Sequence, residues 1–209
     1  MTKTSFSNIL VLCLIISILS GCLGGKRQIK AEWTTVKSEE TKGGGKKLSF
    51  VDQQGRTKIL ERTSSGHVWQ EVILQEGQVI SDLGWYEDGS KRHEIRSEGD
   101  DCVTNVEWYA SGQKKREYAY KNGVCVLNLV WYPSGQLSEK NVYDKNGRYL
   151  AALRWYPSGQ LKYEVVFKDG QVVKRTFYNE DGAVKQTDSG SKGASIQPNA
   201  PADADKLRR

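Results

Sequence analysis

The heptapeptide WYPSGQL spans residues 131–137 and occurs again, letter for letter, at residues 155–161. Three related motifs lie along the chain: WYEDG begins at Trp85, WYASG at Trp108 and the weaker YNEDG at Tyr178. The first residues of the five motifs are separated by 23, 23, 24 and 23 positions. Self-similarity at one short period is typical of a repeat protein, in which each unit packs on its neighbours.

The glycines indicate what kind of unit repeats. From Gly55 to Gly182 a glycine recurs every 10 to 13 residues, which leaves segments that suit strands rather than helices. The chain of 209 residues also contains 21 glycines, 6 tryptophans and 10 tyrosines, a composition that favours strands and turns. We therefore predict an all-β protein.

The repeated heptapeptide predicts a hairpin tip. In residues 156–159, Pro157 supplies the fixed φ of a type I turn and Gly159 takes the left-handed position that follows it. This three-residue loop pairs Tyr156 with Gln160. The strand pairs that follow from it are Trp155 with Leu161, Leu153 with Tyr163, Ala151 with Val165 and Tyr149 with Phe167, all on one face.

A second kind of turn alternates with the first. Asn122-Gly123 and Asp169-Gly170 are preferred dipeptides of two-residue type I′ turns, which pair Tyr120 with Cys125 and Phe167 with Val172. One loop of each kind per 23 residues keeps every tryptophan on the same side, and the longer loop at residues 143–147 explains the 24-residue step. We predict one extended antiparallel meander, a single curled sheet, with turn glycines at Gly89, Gly112, Gly123, Gly135, Gly147, Gly159, Gly170 and Gly182.

The tips resemble those of MORN-repeat proteins, in particular a bacterial variant family with tyrosine-x-x-glycine tips, some of whose members are described as antitoxin-like. The resemblance covers residues 50–185 and is carried by Tyr86 with Gly89, Tyr109 with Gly112, Tyr132 with Gly135, Tyr156 with Gly159 and, more loosely, Tyr178 with Gly182. Residues 62–66 lack the aromatic pair, so the first repeats depart from the pattern. The resemblance implies a sheet used for assembly and contacts, with no catalytic residues.

The amino terminus has the pattern of an export signal. Residues 1–21 contain Lys3, an apolar run from Ile9 to Leu19 and small residues before Cys22. Leu19-Ser20-Gly21-Cys22 resembles the lipobox of bacterial lipoproteins, which implies cleavage before Cys22 and attachment of acyl chains such as palmitate to it. A spanning helix is the alternative, but the run is shorter than the roughly 18 residues that a span needs.

The resemblance to lipoproteins also implies a location. Residue 23 is Leu and not the aspartate that is usual for inner-membrane retention, which favours a lipid anchor in the outer membrane, facing the periplasm. We predict a signal peptide at residues 1–21, a lipidated flexible tether at 22–46, the hairpin-repeat domain at 47–186 and a disordered tail at 187–209. Removing residues 1–21 leaves a net charge of +5, spread along the chain, which favours a solvated surface over nucleic-acid or anionic-lipid binding.

Residues that carry chemistry are scarce. His67 and His93 have no cysteine or acidic neighbours at metal-ligand spacing, and no glycine-rich phosphate motif or nucleophile motif occurs. We predict no metal, no cofactor and no enzymatic activity. For Cys102 and Cys125, the predicted register places Tyr120 between them, so we predict two free thiols and no disulfide.

The aromatic row is the candidate binding feature. It either packs on cross-strand neighbours and shields one face or serves as a recognition surface for a peptide, glycan or partner sheet, and these two roles are compatible. The candidate binding face consists of Trp85, Trp108, Trp131, Trp155, Tyr163 and Tyr178. The predicted apolar face around it is Leu127, Leu129, Trp131, Leu137, Leu153, Trp155, Leu161, Tyr163 and Val165, opposite a polar face of Gln136, Lys140, Arg154, Gln160, Lys162 and Glu164.

Two functions remain open from the sequence. The first is a membrane-anchored envelope lipoprotein whose sheet binds or scaffolds another protein of unknown identity, with an antitoxin-like or immunity-like role as one form of it. The second is a lipoprotein that binds a cell-wall polymer or glycan through its aromatic side chains. A nucleic-acid partner is disfavoured for an exported protein.

Overall fold

A computed structural model describes residues 32–98 and 102–189. It contains one sheet of 14 antiparallel strands in chain order, and β1 does not pair with β14, so the sheet is open. The predicted all-β meander is confirmed. The strands are β1 Trp33–Glu40, β2 Lys46–Asp52, β3 Thr57–Arg62, β4 Val68–Gln75, β5 Gln78–Trp85, β6 Lys91–Ser97, β7 Cys102–Trp108, β8 Lys114–Lys121, β9 Val124–Trp131, β10 Leu137–Tyr143, β11 Tyr149–Trp155, β12 Leu161–Lys168, β13 Gln171–Tyr178 and β14 Val184–Ser189.

The hairpin tips have the predicted geometry. The N–H of Tyr156 donates to the carbonyl oxygen of Gln160 at 2.8 Å, and the N–H of Gly159 donates to Tyr156 at 2.9 Å. Gly159 has φ of 89°, the left-handed conformation that the turn requires. The same two hydrogen bonds recur in the loop from Thr63 to His67, which lacks the aromatic pair. The loop geometry therefore does not require the aromatic residues.

The two-residue turns are also confirmed. Asn122 and Gly123 have φ of 51° and 74°, and Asp169 and Gly170 have 52° and 78°, as a type I′ turn needs at both central positions. Tyr120 pairs with Cys125 and Phe167 with Val172. The glycine turns therefore alternate with the tips at the two ends of the strands.

The register departs from prediction because the tip hairpins from β3–β4 onward contain a β-bulge. Trp155 pairs with Leu161 as predicted, but Arg154 then pairs with Tyr163, so Lys162 has no cross-strand partner. The equivalent residue is skipped in five other tip hairpins, at Trp69, Arg92, Lys115, Ser138 and Lys185. A bulge adds one residue to one strand, which moves every later pair by one.

The bulge corrects the predicted faces. Leu153 pairs with Glu164 and not with Tyr163, and Lys140 pairs with Leu153 on its other side. Lys140 and Glu164 therefore lie on the face that carries Trp155, whereas Tyr163 and Val165 lie on the opposite face with Arg154 and Ala152. We call these the Trp face and the opposite face. A second bulge, as at Leu150 between β10 and β11, keeps Trp155 on the Trp face, whereas β6 and β7 pair without a bulge and Trp108 still lies on that face.

The sheet extends beyond the predicted bounds of the repeat domain. β1 occupies residues that we had predicted to be tether, and β14 continues to Ser189 rather than ending at residue 186. β1 has little apolar periodicity, but its backbone pairs with β2, and Glu39 and Glu40 lie opposite Lys47 and Lys46. Backbone pairing and opposite charges stabilise an edge strand that the hydrophobic pattern does not reveal.

The cysteines require a correction. Cys102 pairs with Lys121, not with Tyr120 as predicted, so it lies on the Trp face while Cys125 lies on the opposite face beside Tyr120. Cys125 is a free thiol. Cys102 is disulfide-bonded, so the prediction of a free Cys102 is wrong. That prediction had treated Cys13 as removed and Cys22 as acylated, which left Cys125 as the sole candidate partner.

The buried hydrophobic side chains lie on the central strands, β7 to β12, and belong to both faces. They include Ala119, Leu127, Val142 and Ala151 on the Trp face and Tyr118, Tyr120, Tyr143 and Val165 on the opposite face. Strands contact mainly the strands beside them, as in a single layer. Within the described ranges there is no helix long and apolar enough to cross a membrane.

Candidate functional site

One aromatic side chain ends every second strand of the repeat region. Trp85, Trp108, Trp131 and Trp155 end β5, β7, β9 and β11, and Tyr178 ends β13. The register places all five on the Trp face, and all are half-buried. Tyr163, which we had predicted in this row, lies on the opposite face because of the bulge at Lys162.

A ladder of tyrosine hydroxyl groups fixes the spacing of this row. The hydroxyl of Tyr86 donates to the carbonyl oxygen of Trp108 at 2.8 Å, and Tyr132 donates to Trp155 at 2.9 Å. Tyr109 and Tyr156 make the same bond to Trp131 and Tyr178. Each tip is thereby tied to the next repeat. Sequence reasoning missed this role, although the Trp-Tyr dipeptide at constant spacing was its signal.

The first part of the Trp face carries paired charges. Lys91 bonds to Glu94 at 2.6 Å and lies over the Trp108 ring, with 5.1 Å from Nζ to the ring centroid. One repeat later, Lys114 bonds to Glu117 at 2.7 Å and lies 5.4 Å from the Trp131 centroid. Each lysine thus has a carboxylate and an aromatic face as partners, and its charge is compensated within the sheet.

The later repeats replace these lysines with leucines. Leu137 pairs with Trp131, and Leu161 with Trp155, at the positions where Lys91 and Lys114 pair with their own tryptophans. Leu129 and Leu153 lie two residues before the tryptophans on the same face. We define the apolar patch as Leu129, Trp131, Leu137, Leu153, Trp155 and Leu161, all of them half-buried.

A row of charged residues crosses the Trp face beside the tryptophans. Every second strand contributes one: Glu71, Glu94, Glu117, Lys140 and Glu164, alternating with Leu83, Val106, Leu129 and Leu153. Lys140 is the single change of sign in this row. It is half-buried between Leu129 and Leu153, and burial lowers the pKa of its ammonium group.

The opposite face is a mixture of aromatic and polar side chains. Tyr163 and Phe177 are in contact, with ring centroids 6.0 Å apart, and Arg154 forms an ion pair with Glu139 at 3.0 Å. The rings of Tyr143 and Tyr149 are also in contact. These side chains therefore find their ring contacts and their ion pair within the sheet itself.

His93 belongs to a small polar cluster on this face. Its ring lies over Gly84, where a Cβ atom would come within 2.2 Å of it, and Nε2 lies 3.1 Å from Oδ1 of Asp82. Gln70 also donates to that oxygen, at 2.9 Å. Burial acts to raise the pKa of Asp82, but these hydrogen bonds and the charges of His93 and Arg92 outweigh it, so the pKa is lowered. No group of three or more potential metal ligands occurs in the part of the chain that the structure describes.

Cys22, the predicted lipidation site, lies outside the described residues. Its modification therefore stays a prediction.

Comparison with known proteins supports the repeat assignment. Residues 150–169, which comprise β11 from its second residue, the tip and β12, match a family model described as MORN repeat variant. The chain thus carries MORN-like repeats, a framework that suggests a repeat-based binding module. No curated protein matches the chain.

Two solved structures are similar over part of the sheet. One is a mutant of S. aureus TarM in complex with fondaparinux, alpha-GlcNAc-glycerol and UDP, at 9% identity and a TM-score of 0.31, covering 77% of this chain and 23% of that one. The other is TarM itself, at 10% identity and a TM-score of 0.29, covering 74% and 22%. This chain spans about a quarter of the length of those proteins, and similarity at this level carries no functional argument.

Proposed function

We propose that this chain is a non-enzymatic, lipid-anchored protein of the bacterial cell envelope whose repeat sheet binds another protein through the Trp face. The observation that carries the proposal is the apolar patch, in which Leu137 and Leu161 replace the paired lysines of the earlier repeats. Tryptophans fixed at constant spacing and left half-exposed are the kind of rigid, amphipathic groups that contribute most to protein interfaces. An immunity-like role toward a toxin is one form that such binding takes.

The test compares two aromatic pairs on opposite faces. The full chain is cross-linked in its own membranes and recovered with whatever protein is bound. Replacing Trp131 and Trp155 with alanine is expected to abolish recovery of a stoichiometric partner. Replacing Tyr163 and Phe177, an aromatic pair of the opposite face, is the matched control and is expected to leave recovery intact.

Stability has to be controlled because removing a packed tryptophan costs about 3 to 5 kcal/mol. Circular dichroism of each variant identifies those that fold. If the folded Trp131/Trp155 variant retains the partner and the Tyr163/Phe177 variant loses it, the opposite face is the binding face. If no protein is recovered but purified cell-wall polymer binds, the glycan-binding alternative replaces this proposal.

The lipid anchor is tested independently of the partner. Residues 19–22 favour acylation of Cys22, and several acyl chains anchor a protein far more firmly than one. Mass spectrometry of the mature amino terminus is expected to find an acylated Cys22. Cys22→Ala is expected to abolish that modification and release the protein from membranes, and a variant that stays membrane-bound with the same cleavage site contradicts the anchor.

A further inference from the structure

Lys140 breaks a pattern that the rest of the Trp face obeys. In the two preceding repeats the equivalent residues are Glu94 and Glu117, and each forms an ion pair with the lysine three residues before it. At Lys140 the sign is reversed, and the residue three positions earlier is Leu137. Both members of the Lys-Glu pair have therefore changed together in this repeat.

No direct cross-strand neighbour of Lys140 on the Trp face carries a counter-charge. Its cross-strand neighbours on the Trp face are Leu129 on β9 and Leu153 on β11. The nearby pair of Glu139 and Arg154 belongs to the opposite face and is satisfied there. Among the described residues Lys140 takes part in no ion pair within 4.0 Å, unlike Lys91 and Lys114.

A half-buried, unpaired ammonium group destabilises a folded protein unless a ligand compensates it. Transferring a charge from water to apolar surroundings is costly, and an opposite charge placed there recovers part of that cost. Burial of Lys140 lowers its pKa, in agreement with a site where the ammonium group lacks compensation. Trp131 and Trp155 lie on the flanking strands β9 and β11, so a ligand that reaches Lys140 also reaches the apolar patch.

We propose that Lys140 binds a carboxylate of a protein segment that lies across the apolar patch, with apolar side chains on both sides of that carboxylate. This inference rests on the proposed function and specifies the chemistry of the partner. A charge centred in an apolar surface sets register and selects partners, because an uncharged segment would leave Lys140 without a counter-charge and a basic segment would repel it.

The experiment uses the full chain in detergent and three capped peptides with the sequence Ser-Leu-X-Leu-Ser, where X is Asp, Asn or Lys. Binding is followed through the indole N–H signals of Trp131 and Trp155 in nuclear magnetic resonance spectra. The Asp peptide is expected to bind about tenfold more tightly than the Lys peptide, a ratio that corresponds to about 1.4 kcal/mol. The Asn peptide is expected to fall between them.

Variants assign the preference to one side chain. Lys140→Glu is expected to reverse the order of the Asp and Lys peptides, and Lys140→Gln to remove the preference, which gives an answer even if the charge reversal prevents folding. Lys145→Glu, in the exposed turn between β10 and β11, changes net charge equally and is expected to keep the preference for Asp. Equal binding of the three peptides, no binding, or an unchanged preference in Lys140→Gln would overturn the inference.

The experiments distinguish failure of the Lys140 inference from failure of the proposed function. If membrane cross-linking recovers a partner in a manner that depends on Trp131 and Trp155 while the peptides show no preference, the Trp face binds a protein but Lys140 does not select a carboxylate. If the aromatic replacements leave recovery unchanged, the proposed function itself is wrong.

Discussion

At the scale of single residues, the tip glycine is held in a conformation that disfavours any side chain. Gly159 has φ of 89°, and a Cβ atom there would lie 3.2 Å from Oε1 of Gln136. Both features penalise any residue with a side chain, and a β-branched one most.

We expect Gly159→Val to lower the free energy of unfolding by about 1 to 3 kcal/mol, measured by chemical denaturation. Ser158→Val, at the preceding exposed residue of the same turn, is the control and should change stability less. Equal losses in the two variants would contradict the assignment of the left-handed conformation to Gly159.

Asp82 links stability to pH. Its pKa is lowered in the folded protein because hydrogen bonds from His93 and Gln70 outweigh burial. The stabilisation that ionised Asp82 contributes is therefore complete above the pKa of aspartate in the unfolded chain, about 3.9. It is lost as the pH falls through the lower pKa of the folded protein.

We expect Asp82→Asn to be less stable than the parent at neutral pH and to lose that difference on acidification below pH ~4. Denaturation at a series of pH values measures it. Glu87→Gln, at an exposed tip, is the control and should show no such convergence. A constant difference between Asp82→Asn and the parent at all pH values would refute the linkage.

At the scale of elements, the hairpin tip was predictable and the bulge beside it was not. Pro157 and Gly159 determine the loop through φ alone, so local chemistry was sufficient for the tip. The bulged residue is Lys in one repeat, Ser in another and Trp in a third, at positions 162, 138 and 69, so no residue type marks it.

The consequences of the missed bulge are specific. The row of tryptophans was predicted correctly because the bulges and the connecting loops together keep the tryptophans on one face. Lys140 and Glu164 were assigned to the wrong face because a single slip separates them from the tip. The site was therefore predictable in its tryptophans and Tyr178 but not in Tyr163 or in its charged residues, and the identity of Lys140 as a candidate contact required the structure.

Neighbouring hairpins are connected by tyrosine hydroxyl groups, and that connection is testable. Tyr132→Phe removes the donor to the Trp155 carbonyl oxygen and is expected to cost about 1 kcal/mol. Tyr163→Phe is the matched control, since its hydroxyl makes no hydrogen bond to the described residues. If the two variants lose equal stability in denaturation, the ladder contributes nothing beyond the loss of a hydroxyl group.

At the scale of the whole molecule, the protection of backbone amides from hydrogen exchange should decrease from the centre of the sheet to its edges. β10 contains buried Asn141, Val142 and Tyr143, whereas almost all of β1 and β14 is exposed. In a repeat array each unit is stabilised mainly by its neighbours, and a terminal strand has one neighbour instead of two.

Hydrogen exchange followed by mass spectrometry is the measurement. Amides of β9 to β11 are expected to exchange slowest, and those of β1 and β14 fastest. Exchange at β14 as slow as at β10 would contradict a sheet that is stabilised from its centre.

The tyrosine ladder also determines where an additional repeat would fit in the sheet. Each hydroxyl reaches the following repeat, and the chain has Thr63 before the first of these tyrosines and Asn179 after the last, residues too short to make the bond. A unit copied directly after Asn179 would receive no such bond from the tip before it, whereas a unit copied between Tyr109 and Trp155 would receive one bond and donate the next. A repeat inserted within the array would therefore lengthen the sheet by two strands, about 10 Å, without interrupting the ladder.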